Sequence, residues 1–178
     1  MSQAAAISDV TLHPGELYVA RTPAILRTIL GSCVGVTVWS ARLGAGALCH
    51  GVLPRAPARL LAALNDPEGP RYVDFSIRCL ARQFDALGAR RDELEVKVFG
   101  GADVLPILSE RADRPTVGAL NREAAVAALA EEGLIVRASD VGGKRGRRIH
   151  FDTSTGEVRV FRLEAWDSAR DKSAEAAG

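Results

Sequence analysis

Two side chains in this sequence have the chemistry of a nucleophile and its base: the thiol of Cys33 and the imidazole of His50, seventeen positions apart. A free thiol has a pKa of ~8.5, so at neutral pH it needs a neighbouring base to become a strong nucleophile. An imidazole is the side chain best matched to that task, taking the proton and later giving it to the leaving group. Cys33 follows Gly31-Ser32 at the junction of two apolar segments. A small, glycine-containing turn lets the backbone bend sharply and exposes the side chain after it. Amide N–H groups around Gly31 and Ser32 are then placed to face an oxyanion.

Each residue also has a plainer reading. Cysteine is among the most buried residue types, and one between two strands is often a small core side chain. His50 lies in the apolar run Ala47-Leu48-Cys49-His50-Gly51-Val52-Leu53, where it needs a partner or must stay neutral. On the residues alone, a catalytic histidine and a core histidine bonded to a carbonyl are equally compatible with that run. A zinc site built from Cys33, Cys49 and His50 is disfavoured, because a structural site takes four ligands and adjacent strand residues point to opposite faces. Cys79 sits within a helical pattern and reads as packing. The basic stretch Val141-Gly142-Gly143-Lys144-Arg145-Gly146-Arg147-Arg148 lacks the phosphate-loop spacing and reads as a solvated loop, or as one that meets an acidic partner.

The elements that must position Cys33 and His50 are strands. Residues 24–30 and 34–39 are rich in Val, Ile, Leu and Thr, and 47–53 forms a further strand stopped by Pro54. If the segments around Cys33 and His50 are antiparallel neighbours, thiol and imidazole can meet. A short strand is expected at 16–20, and one helical turn at 60–64 within a proline-rich loop. Val73, Ile77, Leu80, Phe84 and Leu87 recur at spacings of four and three, which predicts a helix over 72–87 ended by Gly88. Leu94, Val96 and Val98 alternate with polar residues as in a half-buried strand. Asn121 reads as the cap of a second helix ending at Gly133. Strands follow at 134–138, 148–153 and 157–163, the last two joined as a hairpin through Ser154-Thr155-Gly156, with a basic glycine loop at 140–147. This order, without strict βαβ alternation or internal repeat, is an α+β fold.

The 178 residues suit one domain, read here as 1–165, followed by a polar, alanine-rich tail at 166–178 expected to be loosely ordered. The charge balance of 23 basic to 22 acidic side chains gives no electrostatic case for nucleic acid or an anionic membrane. No apolar run approaches a bilayer span, and residues 1–9 lack the pattern of a secretory signal, so a cytoplasmic location is the default. Three cysteines, an odd number, read as free thiols.

The segments 28–36 (Thr-Ile-Leu-Gly-Ser-Cys-Val-Gly-Val) and 46–54 (Gly-Ala-Leu-Cys-His-Gly-Val-Leu-Pro) resemble the signatures of CheD, the chemoreceptor glutamine deamidase family. The likeness continues in order through Tyr72-Val73-Asp74, Lys97-Val98-Phe99-Gly100-Gly101-Ala102, Val117-Gly118-Ala119-Leu120-Asn121, Asp140-Val141-Gly142-Gly143 and Asp152-Thr153-Ser154-Thr155-Gly156. It implies a layered β-sandwich of mixed sheets flanked by helices, similar to cytotoxic necrotizing factor-type cysteine hydrolases. It implies hydrolysis of glutamine side chains on methyl-accepting chemotaxis receptors, with release of ammonia and without a metal or organic cofactor. The family's catalytic cysteine maps onto Cys33 and its histidine onto His50. Its threonine stands six positions before the cysteine in some members. Here that place is Arg27, and Thr28, one residue later, is the candidate; a backbone carbonyl is the alternative partner for His50. The resemblance also carries two rival roles: a module that binds a CheC-type phosphatase or a receptor with little turnover, and an amidase with a different protein substrate.

Overall fold

The computed structural model describes residues 7–104 and 114–164, so the expected C-terminal tail at 166–178 lies outside the described residues. Nine strands form two mixed sheets. The first holds β1 (Ser8–Thr11), β3 (Ala24–Leu30), β8 (Arg147–Asp152) and β9 (Val158–Arg162), side by side in the order β1-β3-β8-β9. The second holds β2 (Leu17–Ala20), β4 (Val34–Ser40), β5 (Ala45–Gly51), β6 (Glu95–Gly100) and β7 (Val136–Val141), in the order β2-β5-β4-β6-β7. Each sheet has one parallel pair, β1 with β3 and β6 with β7; every other pairing is antiparallel.

The sheets stack face to face, and helices cover the far side of the five-stranded one. Leu26 of β3, Leu48 of β5 and Phe151 of β8 meet between the sheets, as do Leu30, Phe99 and Ile149. On the opposite face, Val34, Val36 and Val38 of β4 pack with Ala45, Ala47 and Cys49 of β5. They meet α2 (Val73–Ala86) through Ile77, Leu80 and Phe84, and α3 (Val117–Glu131) through Ala124, Ala128 and Leu129. Each fully buried aliphatic or aromatic side chain contributes on the order of 1.5–3 kcal/mol. Central strands covered on both faces carry no polar alternation: β5 is buried at every position. β3 is covered on one face only and alternates accordingly, with Leu26, Thr28 and Leu30 inward and Arg27 and Ile29 more exposed.

From β2 onward the order of elements follows the sequence-based reading, including the β8–β9 hairpin; the helical turn expected at 60–64 lies slightly earlier, as α1 (Ala58–Leu61), and the strand expected at 47–53 is β5, Ala45–Gly51. Three further points differ. β1 carries no apolar alternation and was not anticipated. α3 starts at Val117, capped by the Thr116 hydroxyl, which accepts from the Ala119 N–H at 3.1 Å. Asn121 therefore lies inside the helix rather than at its cap. β7 runs on to Val141, into the stretch read as loop, because this edge strand is mostly exposed and pairs with β6 through its backbone alone.

Candidate active site

His50 sits on the face of β5 that looks across to β3, since its neighbour Cys49 belongs to the helix-facing core. It is 2% exposed. Thr28 projects from β3 into the same interlayer space and is 1% exposed. Its Oγ1 lies 2.7 Å from His50 Nδ1 and 3.0 Å from the carbonyl oxygen of Leu12. A carbonyl only accepts, and a hydroxyl has one proton to give. Thr28 therefore donates to Leu12 and accepts from His50, which puts the imidazole proton on Nδ1. Nε2 is left with its lone pair, buried and without a hydrogen-bond partner among the described residues. Burial lowers the His50 pKa to about 4, outweighing the pull of Glu16 toward the charged form; His13 adds to the lowering. The ring is neutral at physiological pH and presents a free base.

Two neighbouring residues on β3 thus part company. Arg27 turns to the outer face, where it forms a bidentate ion pair with Asp9 and contacts His150 at 2.8 Å. There it lines a cavity of about 150 Å³ with Ile25, His150, Asp152, Glu157 and Arg159, separate from the Thr28–His50 pair. A one-residue step along a strand reverses the side chain. Thr28, not Arg27, reaches the imidazole, and the Leu12 carbonyl reaches the threonine rather than the histidine.

Cys33 stands just before β4. Val34 pairs with Gly51, the residue after His50, and Gly35 pairs with His50 itself. Thiol and imidazole thus belong to antiparallel neighbours and sit within two residues of each other in register. Gly35 allows close packing beside them: a Cβ there would approach Leu30 Cδ1 to 2.9 Å and the Cys49 carbonyl oxygen to 3.2 Å. The thiol is half-buried and packs at the edge of the Leu30–Phe99–Ile149 cluster. Burial pushes its pKa up, partly offset by its own backbone N–H. Since Nε2 has no partner among the described residues, the thiol is not hydrogen-bonded to it. Such contacts often tighten only when substrate arrives.

The turn at residues 31–33 is held by its carbonyls. Ala102 N–H donates to Gly31 O at 2.8 Å, Gly101 N–H to Cys33 O at 2.7 Å, and Asn121 Nδ2 to Ser32 O at 2.9 Å. The N–H groups of Ser32 and Cys33 enter no backbone hydrogen bond among the described residues. Gly100, at φ +96°, brings the β6 exit so close that a Cβ would collide with the Cys33 carbonyl oxygen. Asn121 and the Leu12 carbonyl were not anticipated as parts of this site. An asparagine on the buried side of an otherwise alanine-rich helix is the signal that marks the first; nothing local marks the second.

Cys49 and Cys79 stand apart. Burial raises their thiols to about 12 and about 11. Among the described residues no three His, Cys, Asp or Glu side chains cluster as a metal site, and no described helix is long and apolar enough to cross a membrane.

A family model described as CheD chemotactic sensory transduction matches residues 53–162, which begins just beyond His50. The chain is 43% identical over 157 residues to the probable chemoreceptor glutamine deamidase CheD 2 of Geobacter sulfurreducens, covering 88% of this chain and 91% of that protein. It is 38% identical over 161 residues to the probable chemoreceptor glutamine deamidase CheD of Maridesulfovibrio salexigens, covering 89% and 94%. To the protein of the same description from Pseudomonas fluorescens it is 35% identical over 160 residues, covering 90% and 88%. With a family match over more than half its residues and relatives aligned along nearly its full length, the chain belongs to the CheD family.

Proposed function

We propose that this protein is a glutamine deamidase that converts glutamine side chains of chemotaxis receptors to glutamate, with Cys33 as nucleophile and His50 as its base. The observation that carries the reading is the polarity of the Thr28–His50 hydrogen bond, which leaves an unprotonated Nε2 one strand away from a half-buried thiol. The names of the relatives supply the substrate class.

The chemistry runs as follows. Nε2 takes the thiol proton as the sulfur attacks the carboxamide carbon, forming a C–S bond. The carbonyl oxygen gains the charge, and the N–H groups of Ser32 and Cys33 are the donors we assign to it. Each such donor is typically worth ~3 kcal/mol. The imidazolium returns its proton to nitrogen as the C–N bond breaks, and ammonia leaves. Water, deprotonated by the same Nε2, then cleaves the thioester to give the carboxylate and restore the thiol. Because burial disfavours both the thiolate and the imidazolium, the resting pair is thiol and neutral imidazole, and proton transfer accompanies attack. Thr28 stabilises the transient imidazolium by accepting its Nδ1–H. No metal or organic cofactor enters this sequence.

Intact-mass spectrometry of a receptor cytoplasmic fragment incubated with the protein tests the reading. Each glutamine converted adds about one mass unit, the difference between an amide and an acid, and the gain is expected to vanish with C33A. An unchanged receptor mass with the wild-type protein would reject deamidation and favour a partner-binding role, including a CheC-type phosphatase.

A further inference from the structure

Asn121 is fully buried on α3, 0% exposed, on the helix face that packs through Ala124, Ala125 and Ala128. Its Nδ2 donates two hydrogen bonds, one to Ser32 O at 2.9 Å and one to Val52 O at 3.0 Å. Both acceptors are carbonyls, so the amide can face them only with its nitrogen. Ser32 immediately precedes Cys33, and Val52 follows His50 by two residues. One amide group thus joins the turn that carries the thiol to the strand end that carries the imidazole.

The β4–β5 ladder joins the two segments from Val34 and Gly51 onward, and the other hydrogen bonds of residues 31–33 run elsewhere. Gly31 O and Cys33 O are tied to Ala102 and Gly101 at the exit of β6, and neither reaches the strand of His50. The Val52 N–H goes to Arg71 O. Asn121 is the one side chain among the described residues that hydrogen-bonds both segments. It does so at a cost: its Oδ1 is buried and without a partner among the described residues. A leucine on this helix face would carry no such penalty. A locally unfavourable polar group held inside a packed helix is a sign of function rather than of stability.

We infer that Asn121 is a positioning residue: its amide fixes the separation of Cys33 from His50, and so sets how readily Nε2 takes the thiol proton. The inference rests on the Cys33–His50 reading above. It concerns the register of two groups rather than contact with substrate, so its loss should appear in kcat and in thiol reactivity, not in KM.

The test compares N121A, H50A and the double variant, all in the full chain. Two rates are read: ammonia release from a receptor fragment and alkylation of Cys33 by iodoacetamide at neutral pH. A misplacement of about 1 Å at a reacting pair costs up to roughly 10²-fold, so N121A should lower kcat by about ten- to a hundredfold with KM within about twofold of wild type. Alkylation of Cys33 should slow in N121A. In the H50A background the same substitution should slow it no further, because there is then no base left to misplace. N121D keeps the side-chain volume and covers the case in which N121A fails to fold. Its carboxyl has at most one donor when protonated and none when ionised, so its kcat should fall as pH rises through its pKa while wild type shows no such limb.

A folded N121A with wild-type kcat and alkylation rate overturns the inference. So does an equal further loss in the H50A background, which would make Asn121 a general packing residue, and so does failure of both N121A and N121D to fold. If H50A itself leaves alkylation unchanged, or C33A still releases ammonia, the Cys33–His50 reading fails instead, whatever N121A does.

Discussion

Thr28 Oγ1 receives the Nδ1 proton of His50 at 2.7 Å because its own proton is already committed to the carbonyl of Leu12 at 3.0 Å. A backbone group on the chain before β2 thereby decides which nitrogen of an imidazole on β5 carries the proton. The polarity of this short relay is chemical necessity, since the acceptor at its end has no proton to offer.

Replacing Thr28 by valine keeps the shape of the side chain and removes the relay. The Leu12 carbonyl and the His50 Nδ1–H lose their partners in a buried setting, at a cost of about 2 kcal/mol in unfolding free energy. Ammonia release should fall by about 10²-fold, the lower range for a mispositioned general base. T28S retains the hydroxyl and should keep most of the activity. Chemical denaturation and steady-state rates of the two variants check this; a T28V enzyme as fast as wild type would dismiss the relay.

The pKa of His50 makes stability depend on pH in a defined direction. The unfolded histidine titrates near ~6.5, whereas the folded one titrates at about 4. Between these values the unfolded chain binds the extra proton, so the stabilisation is complete above the higher value and is lost as pH falls through the window. The full loss is about 3 kcal/mol. Urea unfolding at pH 7 and pH 4.5 should show this decline in wild type and a smaller one in H50Q. Glu16 and His13, the titratable groups that act on the ring, are unchanged in that comparison.

Only one of the three thiols should be open to reagent. Cys33 is half-buried, whereas Cys49 and Cys79 are buried and titrate at about 12 and about 11. Iodoacetamide under native conditions should label Cys33 first, as read by peptide mass mapping. Its thiol is raised by burial, so the uncatalysed rate in H50A should keep climbing past the ordinary thiol pKa of ~8.5. A plateau near neutral pH in that variant would mean that a thiolate is stabilised by something other than His50.

Gly100 is the point at which β6 leans on the turn that carries Cys33. It combines a φ of +96° with a Cβ position that overlaps the Cys33 carbonyl oxygen. G100A should cost about 1–3 kcal/mol of stability for the backbone strain alone. Because relief requires the Cys33 peptide to move, ammonia release should drop more than the stability loss explains when both are measured well below the melting temperature. Unaltered turnover in a folded G100A would show that the turn tolerates displacement.

Much of this was written locally in the chain. The strand patterns of β3, β4 and β5, the helix face of Val73, Ile77, Leu80 and Phe84, and the hairpin at Gly156 depend on near neighbours, and periodicity reports them. β1 escaped, and β7 was placed at 134–138 rather than at Val136–Val141, because both are exposed edges, where backbone pairing rather than side-chain burial makes the strand and no alternation is required.

The sequence by itself determined the residue types available for chemistry and the strands β4 and β5 beside or within which Cys33 and His50 lie, because both follow from short-range pattern. Which of Arg27 and Thr28 faces inward was decided by the stacking of one sheet on the other, since only a buried face distinguishes adjacent residues of a strand. The tautomer of His50 and the clip formed by Asn121 were decided later still. Each joins groups far apart in the chain, Leu12 with Thr28 and His50, and Asn121 with Ser32 and Val52, and such hydrogen bonds exist only once the layers have closed.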